Sequence, residues 1–317
     1  MPTTQVRISV LIPVHSTEFL HETLESISAQ TIHHEKFIVI LVADRVQPEE
    51  IRKVVGESRF KYTILESKGH GIVAALNTGI TSANTEFIAR MDADDIMMPE
   101  RLEYQLAELD SQKKLVGIGG AMLLMDENQI DFGKVTYPSN VFLIRKLLPY
   151  KNVFGHPTMM MRTSALQQAG GYREIESEDW ELWNRLIEIG DMTNSKKPLI
   201  RYRIHRNQIS RKSKYSEVEL SSIMRTLKLL RFNQVEDFPK RNETLDAWKN
   251  RISAYTALGE ILQSIEKSQS GRTAALKILG EEKGGSRLKK VFLGLRAARY
   301  SPLEVGLLIA RRIFRNF

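Results

Sequence analysis

Four aspartates sit where apolar runs stop. Asp44 ends the run FIVILVA (residues 37–43), and Asp92, Asp94 and Asp95 follow EFIARM (residues 86–91) as a D-x-D-D cluster. Carboxylates at alternate positions just past a strand can share one divalent, oxygen-loving cation, which typically keeps waters and also binds substrate phosphates. The chemistry they suggest is diphosphate binding. The same cluster can also be read as a solvated acidic turn that caps the helix expected from Pro99. It does not read as an EF-hand, because the glycine and the distant glutamate of that loop are missing at the required spacing.

For these aspartates to act together, the elements must deliver them to one rim. Residues 7–14 (RISVLIPV) are a compact, β-branched run, the pattern of a strand buried on both faces. Residues 17–30 place Phe19, Leu20, Leu24 and Ile27 on one side of a helix, with Ser16 or Thr17 as its cap. With the strand at 37–43 this makes a parallel βαβ unit. The alternation continues through a helix at 48–55, a strand at 62–65, a helix at 72–82 and a strand at 86–91. A helix at 99–109, with proline in its first turn, and strands at 117–125 and 155–161 follow. Residues 178–189 are helical by period, with Trp180, Trp183, Ile187 and Leu182 or Leu186 facing a core. The fold class is therefore α/β. In open α/β sheets ligands bind beyond the carboxyl ends of the strands, so Asp44 and the cluster are expected on the same rim.

Beyond residue 212 the α/β alternation ends, and helices are expected at 218–230 and 245–265. Residues 1–210 read as a catalytic domain and residues 211–317 as a helical C-terminal region with a basic tail. With 317 residues, 42% of them hydrophobic, the chain can bury a sizeable core. It has no cysteine, which excludes disulfides, thiolate metal sites and cysteine nucleophiles. The opening MPTTQVRISVLIPV lacks the features of a signal peptide, and no window approaches the ~20 apolar residues of a spanning helix. The net charge of +8 is concentrated in residues 284–317, where Arg287, Lys289, Lys290, Arg296, Arg299, Arg311, Arg312 and Arg315 stand against Glu304. Such a tail suits either an anionic membrane surface or a solvated helix face; no recognised nucleic-acid module accompanies it. A cytoplasmic protein is expected, peripheral at the inner face of the membrane on the first of these two readings.

The blocks SVLIPVH, VAD, KGHGIVAALNTGI, EFIARMDADDIMMPERL, GGYRE and SEDWELWNR, in this order, resemble the inverting family 2 glycosyltransferases. The resemblance covers residues 7–210 and implies the GT-A fold, a Rossmann-like fold that binds nucleotide-diphospho-sugars. It further implies a UDP-sugar donor and a Mn²⁺ or Mg²⁺ ion. By the same resemblance Pro13 and Val14 lie against the base, and Asp44 accepts a hydrogen bond from uracil, unless it is only a helix cap. Lys68, Gly69 and Asn77 lie beside the nucleoside, Asp92 near the ribose and the metal, and Asp94 on the metal, with Asp95 behind it or capping. His205, in RYRIHRNQIS, is expected near the metal or the diphosphate. Arg201, Arg203 and Arg206 are expected on phosphate oxygens, although the segment could be merely a basic loop. On the acceptor side the family pattern places Glu178 and Asp179, with Asp179 as general base, and His156. As helix N-terminal acids both carboxylates also suit the dipole.

Several positions depart from that pattern. His15-Ser16 stands where the family often has tyrosine-asparagine, Ala43 replaces an acidic residue, Arg45-Val46 replaces glycine-serine, and Leu76 replaces an arginine. Three of these changes adjoin Asp44 and therefore bear on which base the donor carries. The reaction expected is a single in-line displacement, with inversion, onto a glycan or glycolipid hydroxyl. A sugar nucleotidyltransferase would need a glycine-rich basic loop after the first strand, and PVHSTEF offers none. A HAD-type phosphatase would need an aspartate where Pro13 and Val14 stand. A basic scaffold on an inactive transferase fold is the non-enzymatic alternative.

Overall fold

The computed structural model describes residues 5–205. Two compact units divide the chain, Met1–Lys228 and Leu229–Phe317, and the described residues belong to the first. Arg206, the boundary at residue 210, the helices expected after it and the basic tail lie outside the described residues.

The β-branched run forms β1 (Ile8–Val14), which α1 (Leu20–Ser28) connects to β2 (Phe37–Ala43). Next come α2 (Pro48–Val55), β3 (Lys61–Glu66), α3 (Ile72–Ser82) and β4 (Phe87–Arg90). The chain continues through β5 (Ile96–Met97), α4 (Arg101–Ser111), β6 (Leu115–Met125), β7 (Asp131–Val135) and α5 (Val141–Leu147). It closes with β8 (Met160–Arg162), α6 (Thr163–Gln168), α7 (Glu178–Ile189) and β9 (Asp191–Arg203). One sheet contains all nine strands in the order β3-β2-β1-β4-β8-β6-β9-β5, with β7 paired to β6. β1 pairs in parallel with β2 and β4, and β2 with β3. The chain thus winds outward from β1 to β3, then returns to lay β4 on the other side of β1. A reversal of this kind opens a crevice beyond the carboxyl ends of the central strands. His15 leaves β1 there, Asp44 follows β2 and Asp92 follows β4.

Two helices present polar faces to the sheet, and both shape that crevice. On α1, the Thr23 hydroxyl donates to the Asp95 carbonyl at 2.8 Å, and Ser26 Oγ accepts from Met97 N at 2.9 Å. Gln30 donates to the Met98 carbonyl and accepts from Leu102 N. The aspartate turn is therefore bolted to α1 from behind. On α4, Arg101 and Gln105 are almost wholly buried. Arg101 donates to the Arg90 carbonyl at 2.7 Å, and Gln105 Nε2 reaches the carbonyls of Ile118 and Thr158 at 2.6 and 2.9 Å. Those carbonyls need partners because β8 is short, and an unpaired buried carbonyl is costly.

This short strand corrects the expectation of a strand over 155–161. His156–Thr158 forms a 3-10 turn and only Met160–Arg162 joins the sheet. The expected cap of α1 is also absent: Phe19 occupies the N-cap without a side-chain bond, while Ser16 Oγ accepts from Glu18 N in the turn before it. α4 starts at Arg101, two residues after Pro99. Unforeseen were β5, β7, α5, α6 and β9, whose polar sequence DMTNSKKPLIRYR joins the sheet only by pairing with β6 and β5. No helix of the described residues is long and apolar enough to cross a membrane.

α3 lies close on β1 at Gly79, where an added Cβ would stand 2.0 Å from Leu11 Cδ1. Leu11 is itself buried, so the extra methyl has nowhere to go. Gly79→Ala should destabilise the chain by about 1–3 kcal/mol. Urea unfolding measures this, and an unchanged midpoint would refute such close seating.

Candidate active site

The crevice holds two groups of carboxylates. The first stands at the tip of β4. Arg90, 4% exposed in its side chain, meets both oxygens of Asp92, through Nη1 at 2.7 Å and Nη2 at 2.6 Å. Burial pushes the Asp92 carboxyl upward and Arg90 opposes the shift. Asp95 is fully buried, accepts from Arg203 N at 2.9 Å, and is pushed well upward by burial and by the charges of Asp92 and Asp94. Asp94 is the more open residue, and its Oδ2 lies 2.9 Å from His205 Nε2.

This donor set fits a hard divalent cation. Asp92, Asp94 and Asp95 each offer an oxygen, and these atoms lie within 4.8 Å of one another. Asp95 Oδ2 is buried and has no hydrogen-bond partner among the described residues. The 2.9 Å between Asp94 and His205 matches the ~3 Å that separates adjacent ligands in an octahedral shell with ~2.1 Å bonds.

The second group opens α7. Ser177 precedes it in the left-handed conformation (φ 59°, ψ 48°), a strain of about 1 kcal/mol for a residue with a Cβ. Asp179 Oδ2 accepts from Asn152 Nδ2 at 2.8 Å, and its Oδ1 accepts from Trp180 N at 2.7 Å. Burial raises the Asp179 carboxyl while those two donors hold it down. Glu178 receives no such pair of donors from its neighbours, and burial together with Asp179 pushes it up to about 7. His156 Nδ1 lies 3.9 Å from Glu178 Oε1, and its Nε2 lies 2.8 Å from the Tyr172 hydroxyl. Burial and Arg90 depress the His156 pKa well below the usual value, so the ring is neutral and this contact is not an ion pair. The two groups share one field: Arg90 acts on Asp92, His156, Tyr172, Glu178 and Asp179, and Asp179 in turn acts on Asp92.

Charged residues behind α7 hold its first turn in place. Glu181, wholly buried, pairs with Arg185 at 2.6 Å and with Arg173 at 3.2 Å, and Arg185 donates to the Gly171 carbonyl at 2.8 Å. Asn77 closes the same loop from the other side, bonding the Tyr172 carbonyl and N–H at 2.8 Å each.

That last observation changes one expectation. Asn77 has its side-chain amide committed to the Tyr172 backbone, so that amide holds the loop before α7 and is not available to a nucleoside. Val14 is also corrected: strand alternation turns its side chain fully into the core, and only its carbonyl serves the rim, accepting from Asp44 N at 2.9 Å. Pro13 is half-buried, and Lys68 and Gly69 are exposed, with Lys68 N donating to Thr78 Oγ1. Asp44 is buried and accepts from Gly71 N at 3.1 Å, at the start of α3, while His15 Nδ1 lies 3.8 Å from its other oxygen. The helix that follows Asp44 directly is capped by Gln47 instead.

The arginines expected on phosphate are engaged elsewhere. Arg203 is buried, donating to the carbonyls of Asp94 and Glu127 and to the Glu22 carboxylate, with Phe19 stacked 4.3 Å away. Arg201 donates to Asp131 and to the Gln129 carbonyl. Both are structural because β9 ends between the aspartate turn and the β6–β7 hairpin. Asn152, Tyr172 and Tyr137 were not foreseen. Burial and Asp179 push the Tyr137 hydroxyl up to about 12. Only Tyr172, within the GGYRE block, carried any signal.

With this geometry in hand, comparison with known proteins is specific. The profile described as Glycosyl transferase family 2 matches residues 9–170. The O-antigen biosynthesis glycosyltransferase WbnJ of Escherichia coli is 34% identical over 226 residues, 68% of this chain and 86% of that one. The amylovoran biosynthesis glycosyltransferase AmsE of Erwinia amylovora is 29% identical over 232 residues, 69% and 86% of the two chains. Among solved structures, S. aureus TarS 1–349 in complex with UDP-GlcNAc superposes with a TM-score of 0.55 at 16% identity, covering 96% of this chain and 84% of that one. The mannosyltransferase PcManGT from Pyrobaculum calidifontis, in complex with GDP-Man and Mn2+, superposes at 0.51 with 17% identity, covering 98% and 87%. The fold is the GT-A fold of these enzymes.

The raised Glu178 carboxyl makes stability depend on pH. A group held at about 7, above its ordinary 4.5, favours the folded state while protonated, and that contribution is lost as pH rises from 4.5 through 7. Glu178→Gln should therefore melt higher than the parent at pH 8, by on the order of 3 kcal/mol in stability, and show little difference at pH 4.5. Parallel melting curves across that range would contradict the assignment.

Proposed function

The chain belongs to glycosyl transferase family 2, and on that premise we propose that it is a metal-dependent, inverting transferase that moves a sugar from a nucleoside-diphosphate donor to an acceptor hydroxyl. The observation that carries this reading is the crevice itself, where a cation-fitting group at the tip of β4 and a carboxylate pair at the start of α7 share the field of Arg90.

Asp94 and His205, with Asp92 beside them, would hold a Mn²⁺ or Mg²⁺ ion. Such an ion supplies Lewis-acid neutralisation of the departing diphosphate. Asp44 binds the base at the end of β2. A UDP-sugar donor is supported by the fold shared with a UDP-GlcNAc complex, although the shared fold extends equally to a GDP-Man complex. The names of WbnJ and AmsE support a polysaccharide or glycolipid acceptor.

Asp179 is the general base. Of the coupled pair it ionises first, because Asn152 and the Trp180 N–H stabilise its carboxylate, whereas Glu178 stays protonated to about pH 7. The same two donors, one on each oxygen, fix the carboxylate's orientation. As the acceptor oxygen bonds to the anomeric carbon, its proton passes to Asp179 and the bond to the diphosphate breaks on the opposite face. One displacement inverts the anomeric configuration.

Replacing Asp179 by Asn should lower transfer by roughly 10²–10⁴-fold, the usual worth of a general base, while UDP binding survives. Asp94→Asn should instead weaken UDP binding in the presence of Mn²⁺. Calorimetry and a UDP-release assay separate the two, and NMR of the product reports its anomeric configuration. Full activity in the Asp179 variant, or retention of configuration, would reject the mechanism.

A further inference from the structure

Three residues other than glycine have positive φ among the described residues: Arg45, Gln129 and Ser177. Gln129 lies in the hairpin turn between β6 and β7, where the left-handed conformation is ordinary. Ser177 precedes Glu178. Arg45, at φ 67°, directly follows Asp44 on the rim of the crevice.

Nothing in the local structure asks for arginine at this position. The residue is exposed, and its guanidinium has no hydrogen bond or ion pair with any described residue. Glycine, asparagine or aspartate would adopt the same backbone with less strain. A costly conformation that yields no internal contact points to a ligand. The neighbourhood indicates which one. Asp44 Oδ1 is occupied by Gly71 N, which leaves Oδ2 as the open acceptor, and Arg45 adds donors beside it. One acceptor next to a donor matches a uracil edge, where a ring N–H lies beside carbonyl oxygens. The guanine edge, with two adjacent N–H donors, asks for two acceptors.

We propose that Arg45 is a specificity-determining residue that donates to a carbonyl oxygen of the donor's uracil while Asp44 accepts from the ring N–H. This rests on the donor site proposed above and extends it to a residue held in a strained conformation for binding.

Calorimetry of the full-length chain with UDP and with GDP, in Mn²⁺, on the parent, Arg45→Gly and Asp44→Ala provides the test, together with thermal melting. Arg45→Gly is expected to melt at the parent's temperature or higher, because glycine relieves the strain. Its UDP affinity should fall roughly tenfold, the loss of one charge-assisted hydrogen bond, while GDP affinity changes less. If Arg45→Gly keeps full UDP affinity while Asp44→Ala loses it, Arg45 does not read the base and the proposal is overturned. A loss of affinity accompanied by a drop in melting temperature would make Arg45 structural and overturn it equally. Should Asp44→Ala bind UDP as the parent does, the nucleotide is not held at this rim, and the donor site fails with the proposal.

Discussion

Arg90 grips both oxygens of Asp92 at the tip of β4, nearly out of reach of water, and its charge extends to Glu178 and Asp179 across the crevice. Burying several carboxylates close together is expensive unless each is paired or bonded. Here each finds a different solution. Asp92 is ion-paired, Asp95 accepts a backbone N–H, Asp94 stays partly open beside His205, Asp179 takes two donors and Glu178 is pushed up to about 7. Similar side chains are thereby given distinct chemical roles by their surroundings, as catalytic carboxylates require.

Holding these groups in place takes much of the polar material in the fold. α1 with Gln30 just beyond it, and α4, use Thr23, Ser26, Gln30, Arg101 and Gln105 to bond the backbone around the aspartate turn and just before the short strand next to it. Arg203 ties the end of β9 to the same turn, and the buried Glu181 with Arg173 and Arg185 secures the loop before α7. Breaking a buried pair leaves an uncompensated charge, so these contacts move the site little. A frame of this kind keeps the two carboxylate groups of the crevice in register.

The strain at Arg45 and Ser177 fits the same picture. Both adjoin carboxylates of the crevice, one after β2 and one before α7. Strained backbone persists where the surrounding structure over-determines it, and functional sites are where that is commonly found.

Much of this was legible in the residues. The parallel βαβ half, α3 and α7 follow from runs and periods in the sequence, because strands buried on both faces and amphipathic helices leave local signatures. The aspartates at strand ends were visible for the same reason, and their common rim followed from the general rule for open sheets. Tertiary structure alone decided the rest. β9 lacks an apolar alternation and exists because β6 and β5 pair with it; β8 is short, and α4 supplies the bonds it leaves unmade. Whether Arg203 meets phosphate or a carbonyl, whether Asn77 faces a ligand or a loop, and which of Glu178 and Asp179 keeps its proton depend on neighbours 76 or more residues away for Arg203 and 95 for Asn77. Residue type states what a side chain can bond; only packing states what it meets.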